Sequence, residues 1–116
     1  NIKKPLYLNP FQRILIPTGL KISLPEKFEG QIRPRSGLAL KHGITVLNSP
    51  GTIDSDFKGE VGVILINLSD EKYKIKPGDR IAQMIISSFS NVKWKLVDDI
   101  GQSKRGNSGF GSTGSN

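Results

Sequence analysis

Short stretches in which apolar and polar residues alternate, separated by turn signals every 8–15 residues, constrain the fold of this chain most strongly. Leu20, Ile22 and Leu24 alternate with polar neighbours, and the run ends at Pro25. Residues 72–76 alternate in the same way and end at a Pro-Gly pair. Such alternation predicts half-buried antiparallel strands, because successive side chains of a strand point to opposite faces.

Three nearly continuous apolar runs predict central strands covered on both faces, namely Ile14–Ile16, Val61–Leu68 and Ile81–Ile86. Trp94 and Leu96, with their lysine neighbours, predict one further alternating strand. We expect Trp94 and Phe89 to lie in the core. The 13 glycines and 7 prolines among 116 residues favour turns over long helices. Short strands at this spacing predict an all-β sandwich, jelly roll or barrel.

A single short helix is predicted over Ser36–His42, with Ser36 capping its start and Gly43 its end. His42 lies at the C-terminal end of this helix.

The chain changes character near residue 101. Residues 1–100 are predicted to form the β domain, whereas residues 101–116 contain five glycines, four serines and one apolar residue. Such a segment is a flexible tail by composition, or a Gly-rich lid that orders on a ligand. Residue 1 is Asn and the only methionine is Met84, so we expect the natural chain to begin further upstream.

The net charge of +7 is compatible with a phosphate-rich partner or with a solvated basic surface. The basic residues are scattered and lack interleaved aromatic residues, so nucleic-acid binding is not expected. No apolar run approaches the roughly 18 residues of a membrane span. The absence of cysteine excludes disulfides and thiolate metal sites, and a single histidine makes a His-based metal site implausible.

Four segments could carry chemistry. In residues 33–39 two arginines flank a proline before the helix start, which suits either an anion site or a capped turn. In residues 48–59, predicted as a hairpin, Asp54 and Asp56 are spaced to share one face of an extended strand. A carboxylate there could act as a general base or hold a cation through water, although polar loops also use such residues.

The third segment, residues 78–84, places Gln83 inside an apolar run, where it is either satisfied in the core or directed at a ligand. The fourth, residues 105–114, combines Gly-rich backbone with Arg105, Phe110 and two hydroxyl residues. Gly-rich backbone can wrap phosphate groups through its N–H groups.

Taken in order, these segments resemble the second to fifth motifs of the trimeric dUTPase family. The matching stretches are Pro34-Arg35-Ser36-Gly37-Leu38-Ala39, Gly51 to Glu60, Gly78-Asp79-Arg80-Ile81-Ala82-Gln83 and Arg105 to Gly114, with Pro17-Thr18-Gly19-Leu20 and Lys41-His42-Gly43-Ile44 between them. The resemblance covers nearly the whole chain.

The resemblance implies a jelly-roll fold with a Gly-rich C-terminal arm, and hydrolysis of dUTP to dUMP and pyrophosphate with Mg²⁺. It also implies a homotrimer whose active sites are shared between chains, and an intracellular location, cytoplasmic in a bacterium. No direct protein ligand of Mg²⁺ is identified. Asp54 would activate the attacking water. The residues expected to bind substrate are Arg35, Ser36, Gly37, Asn48, Gly51, Thr52, Ile53, Asp54, Phe57, Gly62, Gln83, Arg105, Phe110, Gly111, Ser112 and Thr113.

Two features depart from the family pattern. Phe57 stands where the family usually has tyrosine, which keeps a stacking face and loses a phenol hydrogen bond. The first family motif, an Ala-Gly-Tyr-Asp-Leu type segment, is absent from the sequence. Two alternatives stay open: a relative of dCTP deaminase with the same fold, and a non-catalytic module that binds nucleotide.

Overall fold

The computed structural model describes residues 1–115 as a mostly β protein with one short helix. Its elements in chain order are β1 (Leu6–Leu8), β2 (Arg13–Pro17), β3 (Phe28–Arg33), α1 (Ser36–His42), β4 (Ile44–Val46), β5 (Gly51–Ile53), β6 (Gly62–Asn67), β7 (Tyr73–Ile75) and β8 (Gln83–Ser88). The predicted all-β class with a single helix is confirmed. Within residues 1–115, α1 has seven residues and lacks the length and apolar character that a helix needs to span a bilayer.

The strands form three small antiparallel sheets. One sheet has the order β2-β6-β4, the second has the order β5-β3-β8, and the third is the ribbon of β1 and β7. Consecutive strands therefore often belong to different sheets. β4 pairs with β6 whereas β5 pairs with β3, so the predicted hairpin after residue 48 is wrong: the chain crosses from one sheet to another there.

All three sheets contribute aliphatic side chains to one core. Its fully buried members are Leu8, Ile16, Ile32, Ile44, Val46, Val61, Val63, Leu65 and Ile75. β6 is the central strand of its sheet, and along it buried Val63 and Leu65 alternate with half-buried residues. Burial of aliphatic side chains contributes roughly 1.5–3 kcal/mol each, so this cluster is the main source of stability.

The helix has the predicted bounds and the predicted C-terminal cap. Gly43 adopts φ 64°, and its N–H donates to the carbonyl oxygens of Ala39 and Leu38. Such a left-handed residue is the usual helix C-cap because glycine has no Cβ to clash. The predicted N-cap is wrong, since Ser36 is the first helical residue and Arg35 takes the cap position without a side-chain hydrogen bond.

Two predicted strands differ from the structure. Ile22 and Leu24 are half-buried as the alternation predicts, but residues 20–24 pair with no strand in the described part of the chain. The Ile81–Ile86 run becomes β8, displaced by two residues. The expected coverage of β8 on both faces is wrong, because Ile86 is 47% exposed. Leu15 in β2 is likewise exposed, so β2 is not covered on both faces either.

The predictions for Phe89 and Trp94 are also wrong. Trp94 is 94% exposed, Leu96 is fully exposed, Phe89 is exposed as well, and residues 89–115 contain neither strand nor helix. The physical reason is that this segment finds no partner strand within its own chain. The radius of gyration is 19.2 Å, whereas a compact chain of this length has about 13 Å. The C-terminal segment thus extends away from the core.

Candidate active site

A cavity of about 270 Å³ lies between β5 and the β2-β6-β4 sheet. Seven of the residues predicted to bind substrate line it: Asn48, Gly51, Thr52, Ile53, Asp54, Phe57 and Gly62. The remaining lining residues are Leu15, Ile32, Val46, Glu60 and Ile64. The walls are therefore mostly apolar, with a few polar groups at the rim, which is the usual composition of a small-molecule site.

β5 presents its backbone to this cavity. It is the edge strand of its sheet, with Thr52 paired to Gln31 on one side only among the described residues. The N–H and C=O groups on its other edge are thus available to a ligand. Gly51 is needed for close packing here, because a Cβ at this position would lie 3.3 Å from Nδ2 of Asn48 and 3.3 Å from Cβ of Ile32.

Asp54 stands at the point where β5 ends. The backbone N–H of Phe57 donates a 3.1 Å hydrogen bond to the carbonyl oxygen of Asp54, which closes a turn over residues 54–57. Asp54 is exposed and lines the cavity, whereas Asp56 does not line it. The prediction that the two carboxylates share one face is wrong, because it assumed extended backbone and the chain turns instead.

The opposite wall of the cavity comes from β6 and β2. Gly62 pairs with Pro17 in the ladder, and the side chain of Leu15 covers the α-carbon of Gly62. Glu60 is held nearby by the backbone N–H of Gly19, which donates to Oε1 at 2.7 Å. Leu15 and Glu60 were not among the predicted site residues. The strand register of β2 against β6 is what brings them to the cavity, and no local pattern reveals that register.

A second, wider basin of about 820 Å³ lies between α1 and β7. It collects the other predicted residues of the folded core: Arg35, Ser36, Gly37 and Gln83. Gln83 is fixed by its amide nitrogen, which donates to the carbonyl oxygen of Pro34 at 3.0 Å. Open space surrounds the position that a Cβ of Gly37 would occupy, so a ligand can approach the backbone there.

Further side chains line the same basin, namely Lys41, His42, Tyr73, Lys74, Lys76 and Arg80. The alternation of residues 72–76 is the sequence signal that could have indicated Lys74 and Lys76. When Tyr73 faces inward, the alternating lysine side chains face outward. The ring centroids of His42 and Tyr73 lie 4.8 Å apart. Burial, and secondarily the negative charge of Asp79, raises the pKa of Tyr73 above its ordinary value of 10.0.

The predicted site residues therefore fall into two cavities and one separate segment. Within residues 1–115, neither of these two cavities is lined by Arg105, Phe110, Gly111, Ser112 or Thr113. Residues 103–114 instead form a series of local turns. Arg105 is engaged in one of them, its Nε donating to the carbonyl oxygen of Ser108 at 2.8 Å, and the ring of Phe110 is fully exposed.

The described residues contain no group of three or more His, Cys, Asp or Glu side chains that could hold a metal ion. Mg²⁺ usually keeps several waters and binds largely through substrate phosphates, and a bound triphosphate would supply those oxygen ligands.

The sequence matches the dUTPase family model over residues 1–114. The chain belongs to the dUTPase family. It is 56% identical over 113 residues to the deoxyuridine 5'-triphosphate nucleotidohydrolase of Treponema denticola, a match that covers 97% of this chain and 78% of that protein. It is 52% identical over 114 residues to the protein of the same name from Fusobacterium nucleatum, covering 98% and 78%. The resemblance inferred from the motifs is confirmed.

Solved dUTPase structures share the fold. A variant of the Staphylococcus bacteriophage 80alpha dUTPase with dUpNHpp superposes with a TM-score of 0.86 at 26% identity, covering 97% of this chain and 82% of that one. A dUTPase of phage phi11, described with a structural Mg(II) ion, gives 0.76 at 22% identity over 85% of this chain and 80% of that one. The predicted jelly-roll dUTPase fold agrees with these likenesses.

Proposed function

We propose that this dUTPase-family chain hydrolyses dUTP to dUMP and pyrophosphate, with Asp54 as the general base. The observation that carries the proposal is the position of Asp54 at the rim of the 270 Å³ cavity, among the other residues of its motif. A carboxylate that faces water at the mouth of an apolar site can orient a water molecule and accept its proton. The relatives are named deoxyuridine 5'-triphosphate nucleotidohydrolases, which agrees with hydrolysis of dUTP.

The cavity is suited to uracil. The free edge of β5 offers backbone N–H and C=O groups in fixed positions, which match the acceptor, donor and acceptor edge of the base. Cytosine would leave its amino group mispaired with these groups, and such a buried mismatch discriminates strongly. The thymine methyl group would be excluded by lack of space, and the ring of Phe57 would stack against the sugar and exclude a ribose hydroxyl.

The phosphates would be held by Arg35, Ser36, Gly37 and Gln83. The guanidinium group neutralises charge, while the hydroxyl, amide and open glycine backbone supply hydrogen bonds. Hydrolysis at phosphorus depends mainly on positioning and charge neutralisation, so these groups suffice without a covalent intermediate. Mg²⁺ would arrive on the triphosphate, where it neutralises phosphate charge. Asp54 then has to orient one water in line with the α-phosphorus.

We further propose a homotrimer with shared active sites. Two features of the single chain support this assembly. The base cavity and the basic basin have no lining residue in common, which fits sites that are completed by a neighbouring chain. In addition, large apolar side chains are exposed on its surface, among them Leu15, Ile86, Trp94 and Ile100. Exposed apolar surface of this kind marks contact with a partner.

Residues 101–116 would act as an arm that closes over the site. Arg105, Ser112 and Thr113 would contact the terminal phosphates, and Gly111 would allow close backbone approach. Phe110 would stack on uracil. The full exposure of Phe110 supports this role, because a ring without a packing partner is free to cover a ligand. Since its substrate is a free nucleotide, we place the enzyme inside the cell, in the cytoplasm of a bacterium.

The test is a substrate panel. Pyrophosphate release is measured for dUTP, dCTP, dTTP and UTP with Mg²⁺, using the chain with its natural upstream sequence. We expect release from dUTP alone. Release of ammonia from dCTP would favour the deaminase alternative. Binding of dUTP without turnover would favour a nucleotide-binding module, and either result would overturn the proposed reaction.

A further inference from the structure

The basin beside α1 carries more positive charge than the predicted phosphate contacts account for. Five cationic side chains line it, and Asp79 is the one acidic residue among its described lining residues. The five are Arg35, Lys41, Lys74, Lys76 and Arg80. Of these five, the resemblance assigns Arg35 alone to the phosphates, so the other four cations are unexplained by direct substrate contact.

The lysines of this group face outward for a structural reason. In β7 the side chains of Tyr73 and Ile75 point towards the core, which leaves Lys74 and Lys76 exposed on the basin side. Asp79, whose Oδ2 accepts the backbone N–H of Lys76 at 2.8 Å in a tight turn, offsets one of the five positive charges. Lys41 lies in the last turn of α1, across the basin.

We propose that Lys41, Lys74 and Lys76, here called the lysine rim, attract the anionic nucleotide and guide it towards Arg35. A concave surface lined by one sign of charge raises the association rate of an oppositely charged ligand by about 10- to 1000-fold. The lysine rim thereby acts on capture of substrate and leaves the chemical step unchanged. This inference rests on the proposed dUTP hydrolysis.

Among the described residues, a packing contact gives an alternative role to one member of the lysine rim, Lys74. Nζ of Lys74 lies 5.8 Å from the centre of the Tyr7 ring, where Lys72 is closer at 4.9 Å. Because Lys72 already occupies the nearer position over this ring, loss of the Lys74 charge has little structural cost. Surface substitutions of this kind usually change stability by less than about 0.5 kcal/mol.

The experiment compares two triple variants of the full chain. One carries Lys41→Gln, Lys74→Gln and Lys76→Gln. The matched control carries Lys3→Gln, Lys4→Gln and Lys21→Gln, which removes the same charge from exposed positions outside both cavities. Steady-state kinetics with dUTP are measured at ionic strengths of about 0.01 M and about 1 M, where the Debye length falls from about 30 Å to about 3 Å.

For the rim variant we expect kcat/KM to fall about tenfold at low ionic strength and less than about twofold at high ionic strength, with kcat unchanged. The kcat/KM of the control variant should stay within about twofold of the wild-type value. Equal losses in both variants, or a wild-type kcat/KM that does not respond to salt, would overturn the inference while dUTP hydrolysis stands. Absence of hydrolysis in the wild type would instead overturn the proposed function.

Discussion

A Cβ atom added at Gly62 would lie 2.6 Å from Cδ1 of Leu15 on the neighbouring strand β2. Both residues line the proposed base cavity. Leu15 is 63% exposed, so in Gly62→Ala the leucine side chain moves instead of the backbone. We expect this displacement to narrow the cavity and to raise the KM for dUTP about tenfold, equivalent to about 1.4 kcal/mol.

The double variant Gly62→Ala with Leu15→Ala is the matched control for that prediction. It removes the side chain that the new methyl group contacts, and we expect the KM to return to within about threefold of wild type. A double variant as impaired as Gly62→Ala alone would show that the cavity does not depend on this contact. Steady-state kinetics with dUTP measure both variants.

Phe57 is predicted to affect sugar selection modestly. Its ring lines the cavity beside Asp54, and Phe57→Tyr restores the hydroxyl that the family usually has. A hydrogen bond contributes about 0.5–1.5 kcal/mol, so we expect the preference for dUTP over UTP in kcat/KM to rise up to about tenfold. Phe28→Tyr, a similarly exposed ring outside the cavity, should leave the preference unchanged. Unchanged turnover and selectivity in Phe57→Tyr would exclude a role in sugar selection.

Asn67 is predicted to stabilise the fold without taking part in the reaction. It is fully buried, and its Nδ2 donates to the carbonyl oxygens of Leu8 at 2.9 Å and Glu71 at 2.7 Å. Its Oδ1 accepts from the N–H and the hydroxyl of Ser69. Asn67→Ala leaves several buried groups unpaired, and we expect it to lower the free energy of unfolding by about 3 kcal/mol.

Urea denaturation measures this change, with the exposed Asn91→Ala as control. We expect the control to shift the free energy of unfolding by less than about 0.5 kcal/mol. A loss below about 0.5 kcal/mol in Asn67→Ala would mean that water replaces the hydrogen bonds of the amide at no cost.

Tyr73 is predicted to make stability depend on pH in the alkaline range. Burial raises the pKa of its phenol in the folded state, with a smaller contribution from Asp79. The folded protein therefore holds this proton more tightly than the unfolded chain. The resulting stabilisation is complete below the unfolded pKa of about 10, and it is lost as pH rises through the folded pKa.

Tyr73→Phe should flatten this dependence. The free energy of unfolding is measured by urea denaturation at several pH values between about 8 and 11. From the lowest to the highest of these pH values, wild type should lose more stability than Tyr73→Phe. Tyr7 is exposed, so Tyr7→Phe should behave like wild type. Identical pH profiles for wild type and Tyr73→Phe would contradict the assigned direction of the shift.

Local patterns predicted those elements whose sequence signals lie within one short segment. The helix Ser36–His42 and its glycine cap follow from capping chemistry within one segment. Strand β7 follows from alternation and from the turn at Gly78, which adopts φ 85°. Both need only information from adjacent residues.

The burial of side chains whose partners lie far away in the sequence was predicted less well. Alternation at Trp94 and Leu96 indicates that these side chains become buried, but it does not name the surface that covers them. The same holds for Ile85 and Ile86 on β8, which are 37% and 47% exposed among the described residues. A local pattern thus indicates that a side chain becomes buried, whereas tertiary or quaternary contacts determine which surface covers it.

Prediction of the candidate site was limited in the same way. Many of the residues singled out by the motifs line one of the two cavities, whereas Leu15, Glu60 and the lysines of the basin were not predicted. Their separation into a base cavity and a basic basin depends on strand order, which places β5 and β8 on opposite edges of one sheet. That order was not predictable from the spacing of the motifs.

The role of Asp54 is tested most directly by comparing Asp54→Asn with Asp56→Asn. The two carboxylates are two residues apart, both are exposed, and only Asp54 lines the cavity. We predict that Asp54→Asn lowers kcat for dUTP by about 100-fold or more with little change in KM, since a general base contributes about 10²–10⁴-fold. Asp56→Asn should keep kcat within about twofold of wild type. Equal activity in the two variants would contradict the account.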